Sequence, residues 1–276
     1  MRTALDATRV GRYREEGFLI IDDFLLADEL DEIADAVSVS VQELGRTKLA
    51  GVAESDTEIG DNPGTWYDRV FLQRINLWRI NETIRRYVMD PDLGQMLCEL
   101  EGVEGIRVWH DQTLQKRPWA NPTTWHADGP NWSFYSRHAV SIWIALDPAT
   151  IANGCMWFLP GSHRVTRFEP FPITESMDQV FKIYPDLFDL RAKAVELNPG
   201  SAAVFNGMIV HGAGANMTPG WRRAMTCAYM PDGATYNGQQ NILTDQQISC
   251  LEVGSLLDDE CQNPVVWSCT RKPTFS

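Results

Sequence analysis

No stretch of this chain approaches the roughly 18 consecutive apolar residues that a membrane-spanning helix requires. The N-terminus, Met1-Arg2-Thr3-Ala4-Leu5-Asp6, leads into charged residues rather than the apolar centre of a signal peptide, so the expected address is cytoplasmic and no membrane association is expected. Close cysteine pairs are missing as well. Cys98, Cys155, Cys227, Cys250, Cys261 and Cys269 show no Cys-x-x-Cys spacing and lie in or beside apolar runs, as reduced core residues do. Positive charge is short. The chain carries 24 Lys and Arg against 37 Asp and Glu, a net of −13, which repels nucleic acid and anionic membranes and weakly disfavours an anionic carrier such as coenzyme A. A small organic molecule is the more natural partner. Internal repeats, low-complexity tracts and linkers are also lacking. Residues 1–276 therefore read as one domain, long enough to bury roughly three-quarters of its unfolded surface.

What is present divides into a helical first third and a strand-rich remainder. Residues 6–16 have helical spacing and stop at Gly17, and the short apolar run 18–21 follows as a strand. Over 27–44 the positions Leu30, Ile33, Ala34, Val37, Val41 and Leu44 form one apolar face, which suits a helix packed on a sheet. Helices are expected at 81–89 and 91–100; 71–78 is strand or irregular, and 45–66 is a long loop. Eight strand-like runs then occupy 106–115, 123–128, 138–146, 155–159, 194–197, 202–205, 209–211 and 221–230. The exception to their rhythm, 164–193, is a candidate lid. The pattern predicts an α+β, mainly β fold: a double-sheet jelly roll with N-terminal helices packed outside one sheet.

The chemistry gathers around Thr123-Thr124-Trp125-His126-Ala127-Asp128-Gly129. Side chains at i and i+2 of a strand share a face, so His126 and Asp128 are placed to reach one metal ion. His211, after an apolar run and flanked by glycine, is the expected third ligand, and His110 is held in reserve. Two histidines and one carboxylate form the facial set of non-haem Fe(II), with open positions for reactants. Along 140–146, Val140, Ile142, Ile144 and Leu146 alternate with Ser141, Trp143 and Ala145, and the second set leaves room for a planar ligand against the indole. Arg222 shares a face with Ala224, Thr226 and Ala228. An arginine among small residues inside a barrel needs a carboxylate. That partner is either a bound dicarboxylic acid or an internal Asp or Glu, unless Arg222 lies at an exposed strand start.

Taken together, these segments resemble the phytanoyl-CoA dioxygenase family of Fe(II)- and 2-oxoglutarate-dependent oxygenases. The resemblance runs from Tyr13-Arg14-Glu15-Glu16-Gly17-Phe18 through Trp125-His126-Ala127-Asp128 and Trp143-Ile144-Ala145-Leu146-Asp147 to the segment 153–163, and ends with His211-Gly212-Ala213-Gly214-Ala215-Asn216 and Arg222. It implies a cupin-like double-stranded β-helix in which His126, Asp128 and His211 hold iron and Arg222 binds the distal carboxylate of 2-oxoglutarate. It further implies that Trp143 and Gln112 line the cosubstrate, that Asn216 supports the site, and that O2 is the other reactant. Asp128 stands where halogenating relatives carry a small residue, so oxidation of a C–H bond without halogenation is expected. The sequence departs from many relatives at Ala127, often Gln, and at Ala213, often Ser or Thr; Thr123 or Thr226 is left to take up the latter contact. Trp132, Phe134, Phe71, Gln73 and Trp78 are candidate substrate contacts. A cupin-like metal enzyme that does not use 2-oxoglutarate and a catalytically silent ligand-binding protein are the alternatives.

Overall fold

In a computed structural model, residues 1–51, 66–170 and 173–270 are described, so most of the loop expected at 45–66 lies outside the described residues. The first third folds as its caps dictate. Helix α1 (Ala7–Glu16) starts where the Asp6 carboxylate accepts the Arg9 N–H and ends at Gly17, whose φ of 85° few other residues adopt. Strand β1 (Phe18–Ile21) follows at once, then α2 (Ala27–Leu44), α3 (Trp66–Val70) and β2 (Phe71–Ile75). Asn81 and Asp90 cap α4 (Glu82–Val88) and α5 (Pro91–Glu101) through their side chains, and Pro91 occupies the first turn of α5, where its missing N–H costs nothing.

Strands overlap all eight expected runs, the seventh displaced so that it shares only His211 with 209–211: β3 (Gly105–Lys116), β4 (Thr123–His126), β5 (Val140–Ala145), β6 (Met156–Phe158), β7 (Lys193–Val195), β8 (Ala202–Asn206), β9 (His211–Ala213) and β10 (Ala224–Pro231). A further strand, β11 (Val265–Ser268), lies outside the expected runs and forms against β3. The strands make two antiparallel sheets. The larger runs β1-β8-β5-β10-β3-β11, with β2 also on β3, and the smaller runs β4-β9-β6-β7. This is the expected jelly roll.

Alternation along β5 and β10 divides the larger sheet cleanly. Val140, Ile142, Ile144, Leu146, Met225, Cys227 and Tyr229 join Ile33, Val37, Ile84, Leu93 and Leu97 in the helix-side core. Trp143, Ala145 and Ala224 face the other way, into an inter-sheet core with Phe18, Phe158, Ala203 and Phe205. Phe18 stacks on Phe158 with ring centroids 4.5 Å apart and links the two sheets at this level. Trp109, Trp132, Phe134, Met230 and Tyr236 fill one end of the inter-sheet space.

The insertion at 164–193 contains α6 (Gln179–Ile183), whose Val180 packs with Tyr184 and Leu187 against Ala127, Leu159 and Val210. Ala127 and Val210 alternate with His126 and His211, so this anchorage is on the outward face of the smaller sheet. A last short helix, α7 (Asp245–Ile248), precedes β11. Among the described residues, no helix is long and apolar enough to cross a membrane.

Two glycines test the helix packing in opposite directions. A Cβ at Gly94 of α5 would lie 2.7 Å from Trp267 Cβ and 2.8 Å from Val266 Cγ1, whereas at Gly11 of α1 it would meet nothing within 4 Å. Gly94→Val is expected to destabilise the fold by about 2 kcal/mol through overpacking. Gly11→Ala is expected to stabilise it by up to about 1 kcal/mol through helix propensity. The midpoints of urea unfolding check both.

Candidate metal centre

His126 and His211 are brought together by sheet register. They are directly opposed partners on β4 and β9, and their ring centroids lie 4.2 Å apart. Each ring is oriented by the backbone two residues earlier: His126 Nδ1 donates to the Thr124 carbonyl at 2.8 Å and His211 Nδ1 to the Ile209 carbonyl at 3.1 Å. A carbonyl can only accept, so both Nδ1 atoms carry the proton and both Nε2 lone pairs are free for a metal.

Asp128 arrives by a different route from the one its spacing suggested. Strand β4 ends at His126, and Asp128, with φ −75° and ψ −49°, opens a 3-10 turn over Gly129–Asn131. Strand parity is therefore not what aims the carboxylate; a turn swings it back over the imidazoles. That turn is pinned by Gly129 N–H donating to the Gly207 carbonyl at 2.8 Å, in a space where a Cβ on Gly129 would lie 2.9 Å from Met208 Sδ. Asp128 Oδ1 then lies 3.6 Å from His126 Nε2 and 3.9 Å from His211 Nε2.

The donor atoms of His126, Asp128 and His211 all fall within 4.8 Å of one another, the one such His/Cys/Asp/Glu group among the described residues. Both imidazoles are buried, and burial, reinforced by the neighbouring His211, pushes His126 down to about 4. It is neutral at physiological pH, the form that binds metal. His110 is also pushed down to about 4 by burial, partly offset by the Asp128 charge, but it stands outside the donor group. The reserve ligand is not needed.

The opposite wall is the inner face of the larger sheet, where register sets side chains in rows. Ala228 is flanked by His110 and Ser141, and Thr226 by Gln112 and Trp143. At the far end Arg222 faces Lys116 across an isolated antiparallel bridge. Arg222 is buried, and its guanidinium carbon lies 5.1 Å from the Trp143 ring centroid. It makes no ion pair among the described residues, and its Nε has no hydrogen-bond partner in the protein. Among the described residues, no acid pairs with it. Asp147, whose charge reaches Arg222, is taken by Arg223 at 2.8 Å. Burial still lowers Arg222 only to about 10, so it remains a cation.

The other expected site residues separate into three groups. Gln112 and Gln73 meet on the inner face, Gln73 Nε2 donating to Gln112 Oε1 at 2.5 Å, and Phe71 lies with its ring 5.9 Å from the Arg222 guanidinium carbon. Phe71 thus belongs to the Arg222 end. Trp132 and Phe134 are buried in the aromatic cluster that closes the other end. Trp78 is misplaced by the expectation: it packs in the helix-side core, with Asp111 accepting its backbone N–H and Arg79 and Arg85 over its ring. Among the described residues, Asn216 hydrogen-bonds to loop groups rather than to the inner face. Its Nδ2 donates to the carbonyls of Arg117 and Gly220 and its Oδ1 accepts from Thr218, which ties together the loops beside β9.

Thr123 and Thr226 both have buried hydroxyls without a partner in the protein, and Thr123 is directly opposite Ala213. Thr123 therefore brings a hydroxyl beside Ala213 from the neighbouring strand. Lys116, on the same face of β3 as Gln112, is buried at the Arg222 end.

The fold and donor set define a jelly-roll protein with two histidines and one carboxylate grouped so that they could hold a metal ion. A family model for phytanoyl-CoA dioxygenase (PhyH) matches residues 13–224, and the chain belongs to that family, whose members are non-haem iron, 2-oxoglutarate-dependent enzymes. It is 27% identical over 248 residues to the peroxisomal phytanoyl-CoA dioxygenase of Rattus norvegicus, covering 83% of this chain and 71% of that one. A probable phytanoyl-CoA dioxygenase of Caenorhabditis elegans is 36% identical over 95 residues, but that match spans only 33% of this chain and 30% of the nematode protein. Among solved structures, the alpha-ketoglutarate-dependent carbocyclase SnoK from nogalamycin biosynthesis superposes with a TM-score of 0.76 at 25% identity, over 95% of this chain and 96% of that one.

Replacing His126 or Asp128 by Ala is expected to remove stoichiometric Fe(II) binding while changing the unfolding free energy of the metal-free protein by no more than about 2 kcal/mol. Metal analysis after gel filtration and urea unfolding check the two halves of this expectation.

Proposed function

We propose that the protein is an oxygenase that uses Fe(II), 2-oxoglutarate and O2 to hydroxylate or otherwise oxidise a C–H bond of a small, partly hydrophobic molecule, releasing succinate and carbon dioxide. The observation that carries this reading is the pairing of buried His126 and His211 and half-buried Asp128 with a buried Arg222 on the facing sheet that makes no ion pair among the described residues. The residues fit the groups. Two neutral imidazoles and one carboxylate leave positive charge on a divalent ion, which favours an anionic chelator. When bound, iron supplies the dioxygen chemistry that couples decarboxylation of the 2-oxo acid to substrate oxidation.

The chain's own part is orientation and dryness. Arg222 offers a forked donor to the distal carboxylate, Trp143 supplies a flat wall 5.1 Å from that guanidinium, and Thr226 and Thr123 bring free hydroxyls to the same interior. Gln112, held by Gln73, faces the span between Arg222 and the metal ligands. Asp128 occupies the position that a halide would need, which supports oxidation without halogenation.

The named activities of the structural neighbours include a carbocyclase and an epimerase. They support a reading in which hydroxylation is one of several ends available to this site. The net charge of −13 favours a free small molecule over a coenzyme A ester. A cupin-like enzyme without 2-oxoglutarate has no use for an unpaired arginine here, and a silent binding protein has none for an intact donor triad.

Adding 2-oxoglutarate to the anaerobic, Fe(II)-loaded protein is expected to give a visible charge-transfer band, and substrate is expected to stimulate succinate release. Arg222→Ala is expected to weaken 2-oxoglutarate binding roughly 10- to 100-fold, the loss of a charge-assisted hydrogen-bond pair, with Fe(II) binding kept. An unchanged affinity in that variant, or a folded, iron-loaded protein without the band, would remove the assignment.

A further inference from the structure

Glu101 is an acid in a place that disfavours one. It is the last residue of α5, where the helix dipole is negative, and its side chain is only 4% exposed. The polar groups around it donate. The Tyr13 hydroxyl, kept protonated by burial and by this carboxylate, gives to Oε1, while Asn206 Nδ2 gives to Oε1 at 3.0 Å and to Oε2 at 3.2 Å. His138 Nδ1 lies 3.6 Å from Oε2 and gives to the Glu101 backbone carbonyl at 3.1 Å. The Tyr13 contact ties α1 to α5. The Asn206 contact leads towards the metal site.

Asn206 ends β8, and its amide is held at both of its ends. Glu101 and the Arg137 carbonyl, at 2.7 Å, take Nδ2, which leaves Oδ1 to accept the Met208 N–H at 2.9 Å. The Asn206 backbone carbonyl accepts the Ile209 N–H at 3.0 Å, so residues 206–209 close into one turn around this side chain. Two of the three metal-site residues depend on that turn. Gly207 supplies the carbonyl that pins Gly129, and with it the turn carrying Asp128, at 2.8 Å. Ile209 supplies the carbonyl that orients His211 Nδ1 at 3.1 Å.

We propose that Glu101 is a positioning residue for the metal centre: by fixing the Asn206 amide it sets the 206–209 turn, and through that turn the aim of Asp128 and His211. The role rests on the metal reading above, since a bound ion is what gives that aim a consequence. In Glu101→Gln one acceptor oxygen becomes an amide nitrogen among donors. Asn206 Nδ2 then loses a partner, and turning its amide over to regain one would set that nitrogen against the Met208 N–H. Either response removes a bond that shapes the turn, and groups that orient metal ligands affect affinity without touching the ion.

The test is titration of the metal-free protein with Co(II), whose visible absorption reports ligand geometry. Glu101→Gln is expected to bind Co(II) roughly tenfold more weakly, with an altered absorption spectrum. Tyr13→Phe removes the other side-chain hydrogen bond to the same carboxylate and leaves Asn206 in place, so it is expected to lower the urea midpoint while keeping the wild-type affinity and spectrum. In an Asn206→Ala background, Glu101→Gln is expected to weaken Co(II) binding no further, because the two act through one connection. Wild-type affinity in Glu101→Gln overturns the proposal, as does an equal loss in Tyr13→Phe. Where Glu101→Gln folds poorly, hydrogen exchange of the wild-type protein decides. Co(II) is expected to slow exchange in 206–209 and in the last turn of α5 together, and unchanged exchange at the end of α5 overturns the proposal. Failure of the folded wild type to bind Co(II) at all overturns the metal reading itself, and it is distinct from binding that is indifferent to Glu101.

Discussion

The structure depends on the register in which β4 meets β9. Opposing His126 to His211 places two imidazoles on one inward face, and a slip of one residue would turn Trp125 and Val210 inward instead. Register here is held from both sides of the sheet. Inward, His211 packs against Phe205 and Phe158, with ring centroids 4.9 and 5.9 Å away. Outward, Val210 and Ala127 are covered by Val180, Tyr184 and Leu187 of the 164–193 segment. That segment therefore stabilises the metal ligands from behind, through the hydrophobic cost of exposing their strand neighbours.

Charge placement explains how an acidic chain maintains a cationic interior. The deepest acids are committed to structure rather than to Arg222 or Lys116. Asp111 accepts the backbone N–H groups of Leu77 and Trp78, and burial raises it to about 7. Glu101 receives the Tyr13 hydroxyl and both of its oxygens accept from Asn206 Nδ2. With these carboxylates tied elsewhere and Asp147 held by Arg223, the inter-sheet end near Trp143 retains positive charge in a chain of net −13.

Much of this was legible from period and spacing because those depend on local chemistry. The alternation in 140–146 and 222–229 assigned the faces of β5 and β10 correctly, since burial against helices on one side leaves that mark on the residues. The grouping of His126, Asp128 and His211 was legible too, though for Asp128 the geometry behind the expectation was wrong: the strand ends at His126 and a turn does the aiming. Trp78 failed for a tertiary reason. Its local sequence reads like inner-face strand, but the backbone leaves β2 at Ile75 and the indole crosses to the helix side, where arginines cover it. Lys116 was overlooked because a lysine before Arg117 and Pro118 looks like the charged end of a strand; only the fold shows that Phe71 and Gly154 enclose it. Strand β11, pairing with β3 from more than a hundred residues away, has no local mark.

The buried polar atoms without protein partners give the interior a direction. His110 Nδ1, Ser141 Oγ, Thr226 Oγ1, Thr123 Oγ1 and Arg222 Nε are all in this condition, and register puts each of them on an inward face. An unmet buried donor or acceptor costs about 1–3 kcal/mol. Several such costs concentrated between two sheets are hard to reconcile with a core selected only for stability, because total stability is itself only about 5–15 kcal/mol. Trp109 and Trp78 carry unmet indole nitrogens as well, but they sit within aromatic or aliphatic clusters, where packing of the ring supplies the compensation. The hydroxyls and the guanidinium have no such area to bury. Their placement follows if the interior is built to be completed by a polar, anionic guest, in which case binding and folding stability rise together.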